Sequence, residues 1–433
     1  MKIQNVKGGY DFLPKEQKIR NYINGTLREI FELFGYNPIE TPILCYYDIL
    51  SDKYDEENDI LKEIYKLTDQ GNRKLGLRYD LTVPFAKLIA INKNILNFPF
   101  KRYEIAKSFR DGPVKVGRDR EFTQCDVDVC GLSGQMIEAE LLTLYEKAFK
   151  KLGIPIIIKY NSRNLMNGLI LESGVNEELL SSVTTIVDKI EKLSKEEFIS
   201  YLKEYNLTQE QIEFLLENFK LSLNELNLKY KDTLNDNIFK GLNELNELTN
   251  YIKKLGIEDI CEFNSSLARG QNYYTGNVFE VYDKLGRVTG SIGAGGRYDK
   301  MITNFIDDGN EYPAVGISFG LSSIYEILKN DKIFANKPNV DIFIIPMNTN
   351  IESLRLANNL RELGYKVSVE MRNKRLKKSL DYANKENISY VIILGEDEVQ
   401  NNFFMLKDMF GNKEFKIELN NLKLIKKIIK NGG

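Results

Sequence analysis

Two spacings of apolar residues alternate along this chain and divide it into elements. Residues 17–35 repeat Ile19, Ile23, Leu27, Ile30, Phe31 and Phe34 at helical intervals before Gly35, which predicts a helix. Pro38 and Pro42 then bracket a short extended run. Lys66–Tyr79 predicts two strands turning at Asp69–Asn72, and Asp80–Thr82 a strand-to-helix junction with Pro84 in the first helical turn. Asp80 there is either a helix cap or a carboxylate turned to a ligand. Lys101–Gly131 predicts a β-ribbon, with runs Arg102–Arg110 and Arg120–Cys130 joined by a loop holding Gly112, Pro113 and Gly117. Side chains alternate faces along a strand. Arg120, Phe122, Gln124, Asp126 and Asp128 therefore share one face, while Thr123, Cys125, Val127 and Val129 share the other.

Met136–Gly153 predicts an amphipathic helix and Ile154–Tyr160 a short apolar strand. From Asn164 to Lys254 the composition turns to Leu, Glu, Lys and Asn with helical periodicity, an all-helical insertion whose charged faces read as solvated surface without visible chemistry. Residues 263–299 return to strand character and glycine, and a glycine-flanked strand is expected to carry Arg269, Tyr273 and Tyr274. Tyr312–Phe319 predicts a buried strand and Gly320–Lys329 the helix after it. Beyond a linker at Lys337–Asn339, strands alternate with helices at Glu352–Leu363 and Leu376–Lys385, a βαβαβ order that predicts a separate α/β domain with a parallel sheet.

Composition narrows the chemistry. The 433 residues carry a net charge of −2, so no global field marks a polyanion binder. The part from Pro338 onward is mildly basic, with 16 Lys and Arg against 12 Asp and Glu. Lys374, Arg375, Lys377 and Lys378 cluster there at a helix start, either a solvated face or a phosphate contact. No signal peptide is visible at the start and no apolar run reaches membrane-spanning length. Four cysteines make no disulfide framework in a chain this long, and Cys125 with Cys130 lacks the second pair a zinc site needs. A reduced, cytoplasmic protein is expected. There is no histidine at all, which removes histidine acid–base chemistry, Ser-His-Asp and Cys-His catalysis and imidazole metal ligation. Any catalysis must come from positioning, electrostatics and a hard cation held by oxygen.

The polar face of the ribbon is unusual for a solvated strand, because it groups arginine, glutamine and two carboxylates. Carboxylates suit an ammonium group and arginines a phosphate or carboxylate, so the face reads as a floor for a zwitterion beside a phosphate. A plain antiparallel ribbon exposed to water is the alternative.

The segments LRYDLTVPFA, KRYEIAKSFRDGP, GRDREFTQCDVDVCG, LARGQNYYTGNVFE, GGRYDKMI and PAVGISFGL, in this order, resemble histidyl-tRNA synthetases. The resemblance covers nearly the whole chain. It implies an α+β class II synthetase-like core, an antiparallel sheet flanked by helices, over residues 1–160 and 255–330. A helical insertion at 161–254 and a C-terminal α/β anticodon-binding-like domain at 338–433 complete it. It implies a homodimer built partly around Pro42, L-histidine, ATP with Mg2+ and tRNA-His as partners, and no dedicated metal ligands. The run Asp80, Leu81, Thr82 together with Gln124 and Asp128 would hold the substrate ammonium and imidazole. Arg110 would meet the α-phosphate and the substrate carboxylate, and Arg269 the charge that builds on that phosphate. Tyr273, Tyr274 and Tyr298 would shape the imidazole pocket, and Arg110 with Arg118 would serve ATP.

Three positions depart from the family pattern. Ser323 stands where an arginine usually binds the γ-phosphate and stacks on adenine, and the two are not interchangeable. Gly112 falls where many members carry an acidic residue, and Gln271-Asn272 replaces a common Leu-Asp pair. Two principal readings follow: a histidine–tRNA ligase, and a synthetase-derived histidine-binding regulator like the regulatory subunit of ATP phosphoribosyltransferase. A tRNA-binding module without chemistry is a third. The empty histidine count suits the first two, since a protein needed when histidine is scarce gains by not consuming it.

Overall fold

A computed structural model describes residues 3–51, 59–115, 117–269, 273–331, 338–372, 374–411 and 413–430. The Gln271-Asn272 departure lies outside them. The chain forms two compact units, Met1–Lys329 and Asn330–Gly433.

In the first unit the strands, in chain order, are β1 (Asn37–Pro38), β2 (Leu44–Tyr46), β3 (Lys66–Thr68), β4 (Lys74–Leu77), β5 (Phe100–Phe109) and β6 (Glu121–Cys130). They continue as β7 (Ile156–Ser162), β8 (Cys261–Phe263), β9 (Asn277–Asp283), β10 (Gly293–Arg297) and β11 (Ala314–Gly320). Eight of them make one sheet, ordered β1-β5-β6-β11-β10-β9-β7-β8. Its six inner strands are antiparallel throughout, and only the short edge strands β1 and β8 pair in parallel. The expected ribbon is β5 with β6, registered from Phe100 opposite Cys130 to Phe109 opposite Glu121.

The helix Pro14–Leu33 starts with proline at its first position, and Glu16 closes its open end by accepting from Leu13 N at 2.8 Å. It buries Ile19, Ile23, Leu27, Ile30 and Phe31. It lies against the sheet face that holds Cys125, Val127 and Val129, all fully buried. Phe319 of β11 keys this layer: its ring sits 5.5 Å from Phe31 and 4.7 and 5.3 Å from Tyr145 and Phe149 of the helix Met136–Lys151. With one face sealed by aromatic packing, the other face is left to carry polar groups.

Between β7 and β8 the chain is helical, from Arg163–Glu172 to Asp236–Lys254. The strand before it runs on to Ser162, opposite Asn277, because Asn161 and Ser162 still pair with β9. In the second unit the strands are β12 (Ile342–Met347), β13 (Val367–Val369), β14 (Tyr390–Gly395), β15 (Phe403–Asp408) and β16 (Lys413–Glu418), ordered β13-β12-β14-β15-β16. The first three are parallel as expected, but β15 and β16 join antiparallel. The sheet is therefore mixed. Asp408 makes that difference locally: its side chain accepts from Phe410 N and Gly411 N, turning the chain back on itself without a helix.

Candidate active site

A cavity of about 220 Å³ opens on the polar side of the large sheet. Asp80, Thr82, Arg110, Gln124, Asp128, Arg269, Tyr273, Tyr274 and Tyr298, nine of the residues assigned from sequence, all line it. Four chain segments far apart in sequence thus converge. Gln124, Asp126 and Asp128 come from β6, where register places Ser318 opposite Asp126 and Gly316 opposite Asp128 on β11.

Glycine is needed at 316. A Cβ there would stand 1.8 Å from Asp128 Oδ1, so the carboxylate lies flat on bare backbone. Gly296 does the same for Tyr274, whose ring would meet a Cβ at 2.8 Å. The Tyr274 ring is 4.6 Å from that of Tyr273, which in turn stands edge-on to Tyr298 at 5.8 Å. Three rings and Asp128, whose Oδ1 accepts from the Tyr298 hydroxyl, wall one end of the cavity.

A buried ion network lies under this floor. Arg102 is wholly enclosed, 2.6 Å from Asp128 Oδ2 and packed over the Phe85 ring at 4.5 Å. Glu104, the next residue on that face of β5, is paired with Arg78 at 3.0 Å. Thr41 completes the set by donating to Glu104 from both its N–H and its hydroxyl. Burial still outweighs these cations for the carboxyls of the cavity. It pushes Asp126 up to about 7, with Arg102 pulling the other way, and raises Asp128 against the same arginine. Asp80 rises to about 6 by burial, opposed by the Val83 N–H, Arg110 and Arg102.

Several buried acceptors have no partner: Asp80 Oδ2, Gln124 Oε1 and Asp126 Oδ1. Unmet buried acceptors are costly and rare, so three around one cavity mark a place for a donor-rich ligand. Asp80 Oδ1 caps the helix Thr82–Asn92 by accepting from Val83 N at 3.1 Å, and Oδ2 is left without a partner. On the cationic side, Arg110 donates to Tyr79 O at 3.1 Å and lies 5.1 Å from the Phe122 ring. Arg269 is paired with Glu280 of β9 at 2.6 Å, while its Nε is buried and unpartnered.

Some expectations do not hold in three dimensions. Arg269, Tyr273 and Tyr274 lie in the loop before β9, not in a strand, because Asn264, Ser265 and Ala268 spend their polar groups on neighbouring segments rather than on a strand ladder. Leu81 does not line the cavity. Its side chain is fully buried and only its carbonyl has a polar contact, accepting from Arg102. Arg118 and Ser323 are also absent from the lining: Arg118 is half exposed and paired with Glu63 at 2.8 Å, and Ser323 Oγ packs beside Gly117. Sequence reasoning read Asp126 as one of two carboxylates suited to an ammonium group, but the family resemblance carried no role to it. It missed Glu63, whose Oε1 would lie 2.7 Å from a Cβ on Gly112 and so brings a carboxylate to that spot from another segment. It also missed Ser318 and Glu280, for which only the pairing of distant strands gives a signal.

Fold and site together define a class II synthetase-type core followed by an anticodon-binding-type α/β domain. The family model for histidyl-tRNA synthetase matches residues 8–324, and that for the anticodon binding domain residues 341–431. The chain belongs to the histidyl-tRNA synthetase family. Histidine–tRNA ligase 1 of Bacillus cereus (strain ATCC 10987 / NRS 248) is 44% identical over 426 residues, spanning 98% of this chain and 97% of that protein. Histidine–tRNA ligase 2 of Shouchella clausii is 43% identical over 94% of this chain and 96% of its own. The crystal structure of histidyl-tRNA synthetase from Nostoc sp. PCC 7120 superposes with a TM-score of 0.85 at 26% identity, covering 99% of both chains.

Proposed function

We propose that the chain is a histidine–tRNA ligase that works in two steps. The carboxylate of L-histidine attacks the α-phosphate of ATP, giving histidyl-adenylate and pyrophosphate; a 3′-terminal ribose hydroxyl of tRNA-His then attacks the histidyl carbonyl, forming the ester and releasing AMP and a proton. The observation that carries this reading is the set of unpartnered acceptors, Asp80 Oδ2, Gln124 Oε1 and Asp126 Oδ1, in one cavity with Arg110 and Arg269. An ammonium group satisfies the acceptors, and the two guanidiniums suit a carboxylate and a phosphate.

Asp128, fixed by Arg102 and Tyr298, is the acceptor for an imidazole N–H, and Tyr273, Tyr274 and Tyr298 close around that ring. Thr82 supports the ammonium beside Asp80. Arg110 orients the histidine carboxylate against the α-phosphate. As the attacking bond forms, negative charge grows on the phosphate oxygens, and a guanidinium already in place stabilises it without reorganising. Arg269 fills that role because Glu280 holds one edge of its guanidinium and leaves Nε free. No proton needs to leave histidine's carboxylate, so adenylate formation proceeds without a general base. That suits a chain with no histidine.

Mg2+ neutralises phosphate charge when it is bound. Such an ion would be held chiefly by water and the phosphate oxygens of ATP itself, leaving Asp80 and Asp126 to the ammonium group. Among the described residues no cluster of three or more acidic or sulfur side chains forms a cage of its own.

Further parts of the reading concern partners. Exposed Ile43, Leu44, Tyr46 and Leu67 form an apolar strip on the small β2-β4-β3 sheet next to Pro42, which supports a homodimer through that region. Arg375, Lys377 and Lys378 are exposed at the start of the helix Leu376–Lys385, which supports a tRNA phosphate contact. No described helix is long and apolar enough to cross a membrane, and the four cysteines are free, which supports a reducing, cytoplasmic setting. ATP–pyrophosphate exchange tests the activity. Exchange that requires L-histidine is the expected result, whereas histidine binding with no exchange would convert the protein into a regulator.

A further inference from the structure

The helical insertion shows no chemistry in its sequence, yet it grips the loop that carries Arg269. This loop leaves β8 at Phe263 and enters β9 at Asn277. Asp188, which follows the helix Leu180–Val187 of the insertion, accepts from Ala268 N at 2.9 Å, one residue before the arginine. Glu191 accepts from Asn264 Nδ2 at 2.7 Å, and the Phe219 carbonyl accepts from Ser265 Oγ at 2.9 Å. At the loop's far end, Arg163 N donates to Gly276 O at 2.9 Å from the first residue of the insertion's first helix.

Asp188 stands apart from the other holds. Glu191 is exposed, and Phe219 contributes only backbone. Asp188 is half buried and lies in the fields of Arg269, Lys192 and Glu280. Its carboxylate also holds the Leu267–Ala268 peptide, one residue before Arg269 leaves the backbone. The Arg269 side chain has its own anchor in Glu280 on the sheet, so two points fix the guanidinium: Glu280 from the sheet and Asp188 from the insertion.

We propose that Asp188 is a positioning residue for adenylate formation, through which the helical insertion sets the placement of Arg269 in the cavity. This rests on the reading of Arg269 as the cation that meets charge on the α-phosphate. A guanidinium displaced by an ångström loses much of its effect on a transition state while ground-state binding of histidine, made by Asp80, Gln124 and Asp128, is untouched.

A double-mutant cycle on the full-length chain tests it. Single-turnover histidyl-adenylate formation and calorimetric histidine affinity are measured for wild type, Asp188→Ala, Arg269→Ala and the double variant. Asp188→Ala is expected to slow adenylate formation by about ten- to a hundredfold, the scale of an ångström's misplacement. Its histidine affinity should stay within about twofold of wild type, and Asp188→Asn, which keeps an acceptor oxygen, should recover most of the rate. On the Arg269→Ala background, Asp188→Ala should change the rate by less than about twofold, since residues that act as a unit are not additive. A full, multiplicative effect on that background overturns the inference, as does an unchanged rate in Asp188→Ala. An unchanged rate in Arg269→Ala instead removes the role of the arginine itself, and with it any positioning through it. Should Asp188→Ala not fold, Asp188→Glu keeps the charge, shifts the carboxylate by one methylene, and carries the same cycle.

Discussion

Within the cavity Asp128 is locked between Arg102, the Tyr298 hydroxyl and the bare backbone of Gly316; outside its lining, Arg118 leans half exposed on Glu63 and Ser323 packs beside Gly117. The amino-acid end is built from strands whose partners are fixed by sheet register, over a closed network of buried charges. The region proposed to meet the nucleotide is a loop and the first turn of a helix, with side chains that reach solvent. Discrimination of a small zwitterion needs groups that cannot move, because a mismatched ligand must leave buried polar atoms unpaired. ATP brings three phosphates and a wide aromatic base, and flexible contacts suffice.

The rigid end should break hardest. Arg102→Leu strands Asp128 in a closed interior, and removing one partner of such a pair costs about 3–5 kcal/mol. Urea denaturation should show that loss, with histidine affinity falling alongside; a loss below about 1 kcal/mol would mean the network is not what holds the floor.

Next in size is Arg269→Ala. Loss of a fixed donor to a developing oxyanion costs about a hundred- to a thousandfold in rate. Histidine-dependent exchange should fall on that scale while histidine affinity changes far less, and equal losses in both would contradict a transition-state role.

The pH behaviour of the apo protein sharpens the contrast further. Asp126 has its carboxyl raised to about 7 by burial, against an ordinary value near 4 when unfolded. The folded state therefore holds that proton more tightly. The stability it lends is complete below about pH 4 and is lost as pH rises through about 7, with a slope of at most about 1.4 kcal/mol per pH unit. Denaturation midpoints between pH 5 and 8 should fall with pH, and Asp126→Asn should flatten the fall. An identical slope in the variant would place the effect elsewhere.

The loose end should respond least, and partly in the favourable direction. Ser323→Arg returns a stacking, bidentate cation, and the KM for ATP should drop by about three- to tenfold, the scale of one charge-assisted contact. No change would show that another group already serves there. Arg118→Ala should raise the KM for ATP by less than about threefold, as expected of a solvent-exposed pair. A larger effect would move the boundary between the two ends.

The same division governs what could be read in advance. The floor of the cavity was legible because a strand alternates faces with a period of two, so Gln124, Asp126 and Asp128 had to stand together once β6 was recognised. The helix Pro14–Leu33 was legible to within a few residues because its apolar period and the glycine after it mark local conformation, while the proline that opens it went unread. Leu81 lies outside the lining because neighbours in sequence turn opposite ways at a helix start: Asp80 and Thr82 face the cavity and Leu81 the core. The hairpin β15–β16 escaped notice, and with it the mixed sheet of the second unit, because a strand's pattern does not state its direction.

By itself the sequence determined the periodic elements, the polar face of the ribbon, the family to which the chain belongs and the absence of any imidazole chemistry. These are properties of local spacing and composition, and no partner segment is required to see them. Only the tertiary structure decided that Glu63 stands in front of Gly112, that Glu280 holds Arg269, and that Asp188 of an insertion with no visible chemistry holds the backbone beside it. The first and third join segments dozens of residues apart, and the second joins a loop residue to the strand that follows it. Such contacts follow from how the sheet closes, which no window of sequence contains.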